Sequence, residues 1–465
     1  MTKDPSTDVA IIGAGSIGLA VAYALAVDHG VTRTVLIDPG DPMALTSAQS
    51  GENYRNWWPH PVMTAFTDHA TDLLEAVARA TGNRINMTRR GYALVTRRTN
   101  PADLIDQLHQ GYGESGSEGG GEASTSRIRL HERGTPSSYT PATSSDWETA
   151  PDGVDVLLDP ALIRTHFPSL APDAATILHI RRAGDISGQQ LGQFMLETIR
   201  AAGGRLHRAY LVGIEAGPPF TLTLQTGEAR TTLRADRVVN AAGPFFKPVA
   251  DMLGEALPVT CVFQQKIAFE DRERALPRTL PFTIDLDPQQ LAWTEEERET
   301  LASDPATAPL LRPMAGGVHR RPEGGEAGRW VKLGWAYNTE ASDPTDDAPI
   351  DPNFPDLVLR AASRLSPALQ PYVGRLPRGA RHYGGYYAMT PENWPLIGPM
   401  ATPGAFMAGA LSGFGTMAAT AAGALCAAWV AGGPLPEYAA KLSLTRYADA
   451  ALMAGLRDDA NKGVL

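Results

Sequence analysis

The sequence predicts an α/β fold of two interleaved domains, and three observations carry that expectation. Residues 8–37 read as strand, helix, strand. Residues 258–375 read as a separate run of strands with proline-rich connections. Residues 404–433 return to a strand, a glycine-rich turn and a long apolar helix. At 465 residues the chain exceeds one ordinary domain, and a hydrophobic content of 43% is enough for a large core.

The elements follow in order. Residues 8–12 (DVAII) are β-branched and apolar, as a buried strand requires. In residues 16–27, Ile17, Ala20, Val21 and Ala24 share one helical face. Residues 34–37 form a second apolar strand, so the unit implies a parallel pair with a right-handed crossover. Residues 111–126 hold six glycines and four serines, and a flexible insertion near 110–150 is expected. A short helix ending before Pro168 follows, then a helix over 189–202 with Leu191, Phe194, Met195 and Thr198 on one face. Gly203 and Gly204 end it. Strands are expected over 205–216 and 235–241. This divides the chain into a first domain of 1–90, 158–257 and 378–465, and a second of 91–157 and 258–377.

Composition excludes some functions. A net charge of −10 argues against nucleic acid as partner, because phosphate binding wants a basic surface. Cys261 and Cys426 are the only cysteines and form no CxxC, so neither a zinc knuckle nor a redox pair is suggested. The ten histidines are scattered without HxH or HExxH, so no metal site is expected. The polar N-terminus does not read as a secretory signal, and sparse cysteine fits a reducing, cytoplasmic setting. The apolar run 404–433 is rich in Ala and Gly, which favours a buried helix over a membrane span.

Chemistry enters at Gly13-x-Gly15-x-x-Gly18. Gly13 permits a tight turn, Gly15 lets a pyrophosphate approach the backbone, and Gly18 lets the helix pack on the strand. Ser16 and Ile17 begin that helix, whose free N–H groups and dipole favour phosphate. Asp38 ends the second strand, where a carboxylate accepts hydrogen bonds from ribose hydroxyls. Together these predict a Rossmann-type dinucleotide site, but FAD and NAD share the fingerprint. A second turn at residues 412–415 (SGFG) opens the long apolar helix, and a dipole end there suits the negative charge of a reduced flavin. A plain glycine-rich turn is the alternative.

Five stretches carry a resemblance: VAIIGAGSIG (9–18), SAQSGENYR (47–55), GDISGQQLGQFMLETIRAAGG (184–204), ADRVVNAAGPF (235–245), and GGYYAMTPENWPLIGP through LSGFGTMAATAAG (384–423). On these the chain resembles the D-amino-acid oxidase / glycine oxidase superfamily of FAD-dependent amine oxidoreductases, and is similar to its sarcosine oxidase branch. The resemblance implies a Rossmann-type FAD-binding domain with a second, mixed-sheet substrate domain. It implies that Asp38 binds the adenosine ribose and that Ser47, Ser50 and Arg55 lie against the flavin. Ala242 and Gly243 match a turn beside the cofactor; Gly413, Gly415 and the following Thr416 match the turn at the pyrimidine edge. Lys332, in VKLGW, matches a lysine beside flavin N5 whose ammonium helps dioxygen accept electrons. Lys332, Tyr387 and Arg55 are the candidate catalytic residues.

Two departures stand out. Monomeric sarcosine oxidases attach flavin through a cysteine where this chain has Gly385, so noncovalent FAD is expected; a histidyl linkage through His60 or His69 is the alternative. Trp57 and Trp58 follow Arg55, and with Tyr383, Tyr386 and Tyr387 they could wall an aromatic substrate site suited to an amine; core packing is the plain alternative for the two indoles. Arg320, Arg321 and Arg381 are candidates to clamp a carboxylate, and His382 a candidate base. The expected reaction is oxidation of an amine, an amino acid or N-alkyl amino acid, with dioxygen as acceptor. The rivals are a dehydrogenase of the same fold using a quinone or electron-transfer protein, a 2-hydroxy acid oxidase, and a non-catalytic flavoprotein scaffold.

Overall fold

A parallel strand pair at the N-terminus seeds the first sheet. Val9 to Ile12 lie in register with Thr34 to Ile37, and their apolar side chains are buried on both faces, as a sheet covered on two sides demands. The computed structural model describes residues 6–113, 127–142, 146–344 and 349–456. The first sheet has eight strands. Six run in the order Tyr210–Glu215, Phe220–Thr226, Ala229–Asn240, Ser6–Ile12, Thr34–Asp38, Arg205–Arg208. Ala405–Gly409 joins parallel to Ala229–Asn240, and Leu396–Pro399 pairs antiparallel with it.

Three helices cover one face: Ser16–Asp28, Gly188–Ala201 and Gly415–Ala431. The last is the Ala- and Gly-rich run. It is buried on nearly every side and packs against Ser16–Asp28 and Pro61–Ala80. At Gly423 the two helices touch backbone to backbone: a Cβ there would lie 2.4 Å from the Ala20 carbonyl carbon. Low side-chain volume therefore serves close helix packing. Among the described residues no helix is long and apolar enough to cross a membrane.

Among the described residues the second sheet has nine strands, in the order Arg381–Met389, Thr260–Glu270, Trp330–Trp335, Val318–Glu323, Phe282–Asp285, Tyr92–Thr96, Thr176–Ile180, Val154–Leu157, Ile128–His131. Its outer face packs on helix Phe354–Leu365 and a core that includes Ile267, Phe269, Leu333 and Trp335. Two of these strands, Thr176–Ile180 and Arg381–Met389, come from segments expected in the first domain, so positions 158 and 378 do not separate the sheets.

The insertion expected near 110–150 needs correction where it is described. Helix Ala102–Tyr112 runs into it, and Ile128–His131 is the edge strand of the second sheet. Tyr139 is buried with its hydroxyl 3.1 Å from His179 Nδ1, and Trp147 is buried in the first core. Two aromatic anchors outweigh the polar composition around them. Residues 114–126 and 143–145 lie outside the described residues.

The Gly423 contact generates a stability prediction. Gly423→Ala should cost about 1–3 kcal/mol, as an overpacked methyl group does when only backbone can yield. A thermal melt checks this, and a midpoint equal to the parent's would overturn it.

Candidate active site

Strand, turn and helix meet at Gly13, and sterics at three glycines fix the geometry. Gly13 has φ +104°, and a Cβ there would sit 2.4 Å from the Ala241 carbonyl oxygen. A Cβ on Gly18 would lie 2.0 Å from the Gly13 oxygen. Only glycine permits this helix to sit so close to this strand. Gly15 is constrained from one side only, by Ser47 Oγ at 3.1 Å from its notional Cβ. Ser47 Oγ also accepts a hydrogen bond from Ser16 N at 3.0 Å, which ties the 46–52 loop to the helix N-terminus.

These residues open onto a cleft of about 520 Å³. Gly13, Gly15, Ser16, Ile17 and Asp38 line one end; Ser47, Ala242 and Gly243 flank it; Tyr386, Ser412 and Gly415 reach the other. The cleft lies beyond the carboxyl ends of the parallel strands, where ligands bind in open α/β sheets. Asp38 Oδ2 accepts from Ala14 N at 2.8 Å and Oδ1 from Gly40 N at 2.9 Å. Two backbone bonds orient the carboxylate and leave acceptor capacity for ribose hydroxyls. The glycine cradle, the helix N-terminus and the oriented acid fit a dinucleotide. Residues 209–211, Phe245, Pro248, Val249 and Met252 complete the wall; their apolar character carried no signal of this role in the sequence.

The loop that lines the cleft at Thr46 and Ser47 continues onto the inner face of the second sheet. Side chains alternate across a strand, so Arg321 and Glu323, Lys332, Lys266, and Tyr383 and Tyr387 project to that face. Lys332 Nζ lies 3.0 Å from Glu323 Oε2, 3.4 Å from Glu52 Oε2 and 3.4 Å from the Ser50 carbonyl oxygen. Arg321 lies 3.2 Å from Asp185, 3.0 Å from Glu323 and 3.8 Å from Glu52, and donates to the Gly51 oxygen at 3.0 Å. Burial, with Arg321 beside it, pulls the Lys332 ammonium below the usual lysine range, against the attraction of Glu323 and Glu52. Arg321 is also penalised by burial, but Asp185, Glu323 and Glu52 outweigh that and raise it. Burial alone would raise Glu323; Arg321 and Lys332 hold it low. Burial raises the Tyr383 phenol.

Lys266 stands beside this network. Its ammonium is 3.2 Å from the Tyr387 hydroxyl. Tyr386 projects into the cleft while Tyr387 faces Lys266, so consecutive tyrosines join the cleft to the charged face. Period-two alternation along 318–323 and 330–335 could have revealed Glu323 as Lys332's partner. Glu52 and Lys266 carried no such signal.

Several expected residues sit elsewhere. Ser50 does not line the cleft: its Oγ accepts from Glu52 N at 2.9 Å and so shapes the loop. Gly413 and Thr416 do not line the cleft, and Thr416 is buried against Gly188. Trp57 and Trp58 are core residues, 3% and 0% exposed, and neither lines the cleft. Trp58 meets Phe414 edge-on at 4.8 Å. Arg55 is 1% exposed, away from the cleft, with its guanidinium 5.0 Å from the Trp58 ring and 5.4 Å from Tyr92. The aromatic run after Arg55 therefore houses a buried cation. Arg381 is exposed, and Arg320 faces the opposite side of its strand, donating to Ser366 Oγ at 2.7 Å. His382 is 2.9 Å from Gln265 Oε1 and stacks on Phe354, a structural setting.

The side chains that could attach a cofactor are engaged elsewhere or stand behind the cleft lining. Cys261 Sγ donates to the Pro244 oxygen at 3.3 Å, and burial pushes its thiol up to about 11. Cys426 is fully buried in the long apolar helix. His60 caps helix Pro61–Ala80 by accepting from Val62 N at 3.2 Å, and His69 is 2.6 Å from the Tyr438 hydroxyl. None of the four lines the cleft.

Comparison with known proteins agrees with this geometry. The family model described as FAD dependent oxidoreductase matches residues 8–429. A search of curated protein sequences returned no match. Among solved structures, glycine oxidase from Geobacillus kaustophilus is similar with a TM-score of 0.68 at 18% identity, over 95% of this chain and 99% of that one. L-proline dehydrogenase from P. horikoshii gives 0.70 at 14%, over 96% and 99%. Iminodiacetate oxidase from Chelativorans sp. BNC1 gives 0.65 at 17%, over 94% and 98%. At these identities the likeness is one of fold.

The Asp38 geometry predicts its own test. Asp38→Ala orphans two backbone donors and removes the ribose acceptor, at about 1–3 kcal/mol for each lost bond. The variant should purify with a lower ratio of flavin to protein absorbance and release FAD more readily on dilution. Parent-like retention would remove Asp38 from the site.

Proposed function

The chain belongs to the FAD dependent oxidoreductase family, and from that premise we propose that it oxidises a small amine, an amino acid or N-alkyl amino acid, with dioxygen as the electron acceptor. The observation that carries this reading is the junction at Tyr386 and Tyr387, where the dinucleotide cleft meets a buried sheet face bearing Lys266, Lys332 and Arg321. Cations and phenols beside a cofactor cleft suit a substrate that brings a carboxylate and an amine.

Each residue has a part in this reading. Asp38 holds the ribose. Gly13, Gly15 and the N–H groups at Ser16 and Ile17 hold the pyrophosphate. The Ser412–Gly415 turn holds the far end of the cofactor, noncovalently, since neither cysteine lines the cleft. Bound in this cleft, FAD would supply the acceptor for the hydride on the carbon bearing the amine and the route by which its two electrons, with two protons, reach dioxygen as hydrogen peroxide. The imine product hydrolyses in water. The second sheet provides the substrate side, and its charged face sets the electrostatics there. Tyr387, held by Lys266, presents its phenol beside the reacting region. Arg55, sealed among Trp57, Trp58 and Tyr92, adds positive potential from behind.

One observation favours a second reading. Lys332 is clamped by Glu52 and Glu323, so its charge is largely neutralised where dioxygen needs a cation. A dehydrogenase that hands electrons to a quinone or protein acceptor tolerates such a clamp.

One experiment tests both readings. The yellow protein is mixed anaerobically with amino acids, N-methyl amino acids and 2-hydroxy acids, and then opened to air. Bleaching by the first two classes, with rapid recovery and peroxide formation, is expected. Lys332→Met should change bleaching and recovery little, because Glu52 and Glu323 already neutralise the ammonium; recovery slowed on the order of a hundredfold would make Lys332 the cation that serves dioxygen. Bleaching without recovery in the parent selects the dehydrogenase. Bleaching only by 2-hydroxy acids overturns the amine reading.

A further inference from the structure

Charge accounting on the inner face singles out one residue. Arg321, Lys332 and Arg90 share Glu52, Glu323 and Asp185 through contacts of 3.0 to 3.8 Å. Each cation there has a carboxylate, so this set is balanced.

Lys266 lies outside that balance. It is 4% exposed. Its polar contact is the Tyr387 hydroxyl at 3.2 Å, and the phenol ring centroid is 5.3 Å away. Among the described residues no carboxylate lies within salt-bridge distance of it. His319, the neighbouring titratable group, supplies no negative charge: burial first, and then Lys266 itself, drives its pKa down to about 3, so the ring is neutral. Burying an ammonium without an anion is strongly unfavourable. An ammonium has three donors, and one is accounted for.

Glycines adjoin this side chain. Residues 51, 334 and 385 of the adjoining backbone are all glycine. A Cβ on Gly334 would crowd Lys266 Cγ at 3.0 Å, and one on Gly51 would come within 3.9 Å of its Cε. Gly385, opposite Gln264 on the neighbouring strand, adds no side chain. The adjacent Tyr386 lines the cofactor cleft, so an anion on Lys266 sits beside that cleft.

We propose that Lys266 and Tyr387 form the substrate-carboxylate site: the ammonium pairs with the carboxylate and the phenol donates a hydrogen bond to it. This deepens the amino-acid reading above and rests on it. Lys332, in this assignment, is a positioning residue that holds Glu52 and the 46–52 loop against the sheet. The selected substrates then carry a free carboxylate next to the amine, and simple alkylamines are excluded.

The test uses the holoenzyme and needs no turnover. Propionate is titrated into parent, Lys266→Met, Lys266→Arg and Tyr387→Phe by calorimetry, with propylamine, which has no carboxylate, as the control. The parent is expected to bind propionate, Lys266→Met at least tenfold more weakly, Tyr387→Phe several-fold more weakly, and Lys266→Arg close to the parent. Propylamine binding should not change. Equal propionate affinity in parent and Lys266→Met, or no propionate binding by the parent, overturns the assignment. If Lys266→Met lowers propionate affinity but only 2-hydroxy acids bleach the parent's flavin, the carboxylate site stands and the amine reading falls. If amino acids bleach the parent and their KM is unchanged in Lys266→Met, the amine reading stands and the carboxylate site falls.

Discussion

The contact between helix Ser16–Asp28 and helix Gly415–Ala431 is the constraint on which the rest depends. Because residue 423 is glycine, the second helix presses its backbone onto Ala20. That contact brings two helix N-termini, separated by almost the whole chain, to the same edge of one sheet. Gly15, Ser16 and Gly415 then line one cleft. Gly18 makes the matching approach beneath, against the oxygen of Gly13. Space for a dinucleotide is created by removing side chains at a few crossings, and an added methyl group at any of them moves a wall of the site.

The two sheets are joined at the site by charge. Glu52 is the joint. It leaves the 46–52 loop with φ +59°, accepts a hydrogen bond from Gly188 N at 2.9 Å at the start of helix Gly188–Ala201, and reaches Lys332 and Arg321 on the second sheet. A helix N-terminus stabilises a carboxylate, so the first domain holds the anion and the second supplies the cations. Buried ion pairs contribute little net stability but punish the loss of one partner severely. The arrangement thus fixes where the sheets meet and leaves the face between them polar.

The N-terminal unit was legible in the sequence because each of its signals is local. Gly13, Gly15, Gly18 and Asp38 lie within one strand-helix-strand unit, and periodicity placed both strands and the helix. The apolar character of residues 404–433 was equally plain, and its Ala and Gly content pointed to a buried helix. The charged face was not legible. Lys332 draws Glu323 from the paired strand and Glu52 from the 46–52 loop, and no local pattern marks the second contact. Trp57 and Trp58 misled for a related reason: an aromatic run next to Arg55 reads as a substrate wall, whereas folding closes the rings over the guanidinium. Residues 128–131 were masked by the polar composition around them, although Ile128 and Leu130 alternate as a short edge strand does.

The distinction between Lys332 and Lys266 follows from the same limit. A sequence resemblance transfers a residue but not the charge around it. The resemblance implies a useful cation at Lys332, yet two carboxylates meet it here, one brought by the loop and one by the next strand. A potential at a site is the sum over its neighbours, so a lysine inside a balanced set contributes little beyond its own contacts. Lys266 carries no resemblance, and on this charged face it is the cation that no described carboxylate meets within salt-bridge distance. If an anion is to be held beside this cleft, the electrostatics favour the lysine outside the balanced set, with Tyr387 oriented against it as the second donor.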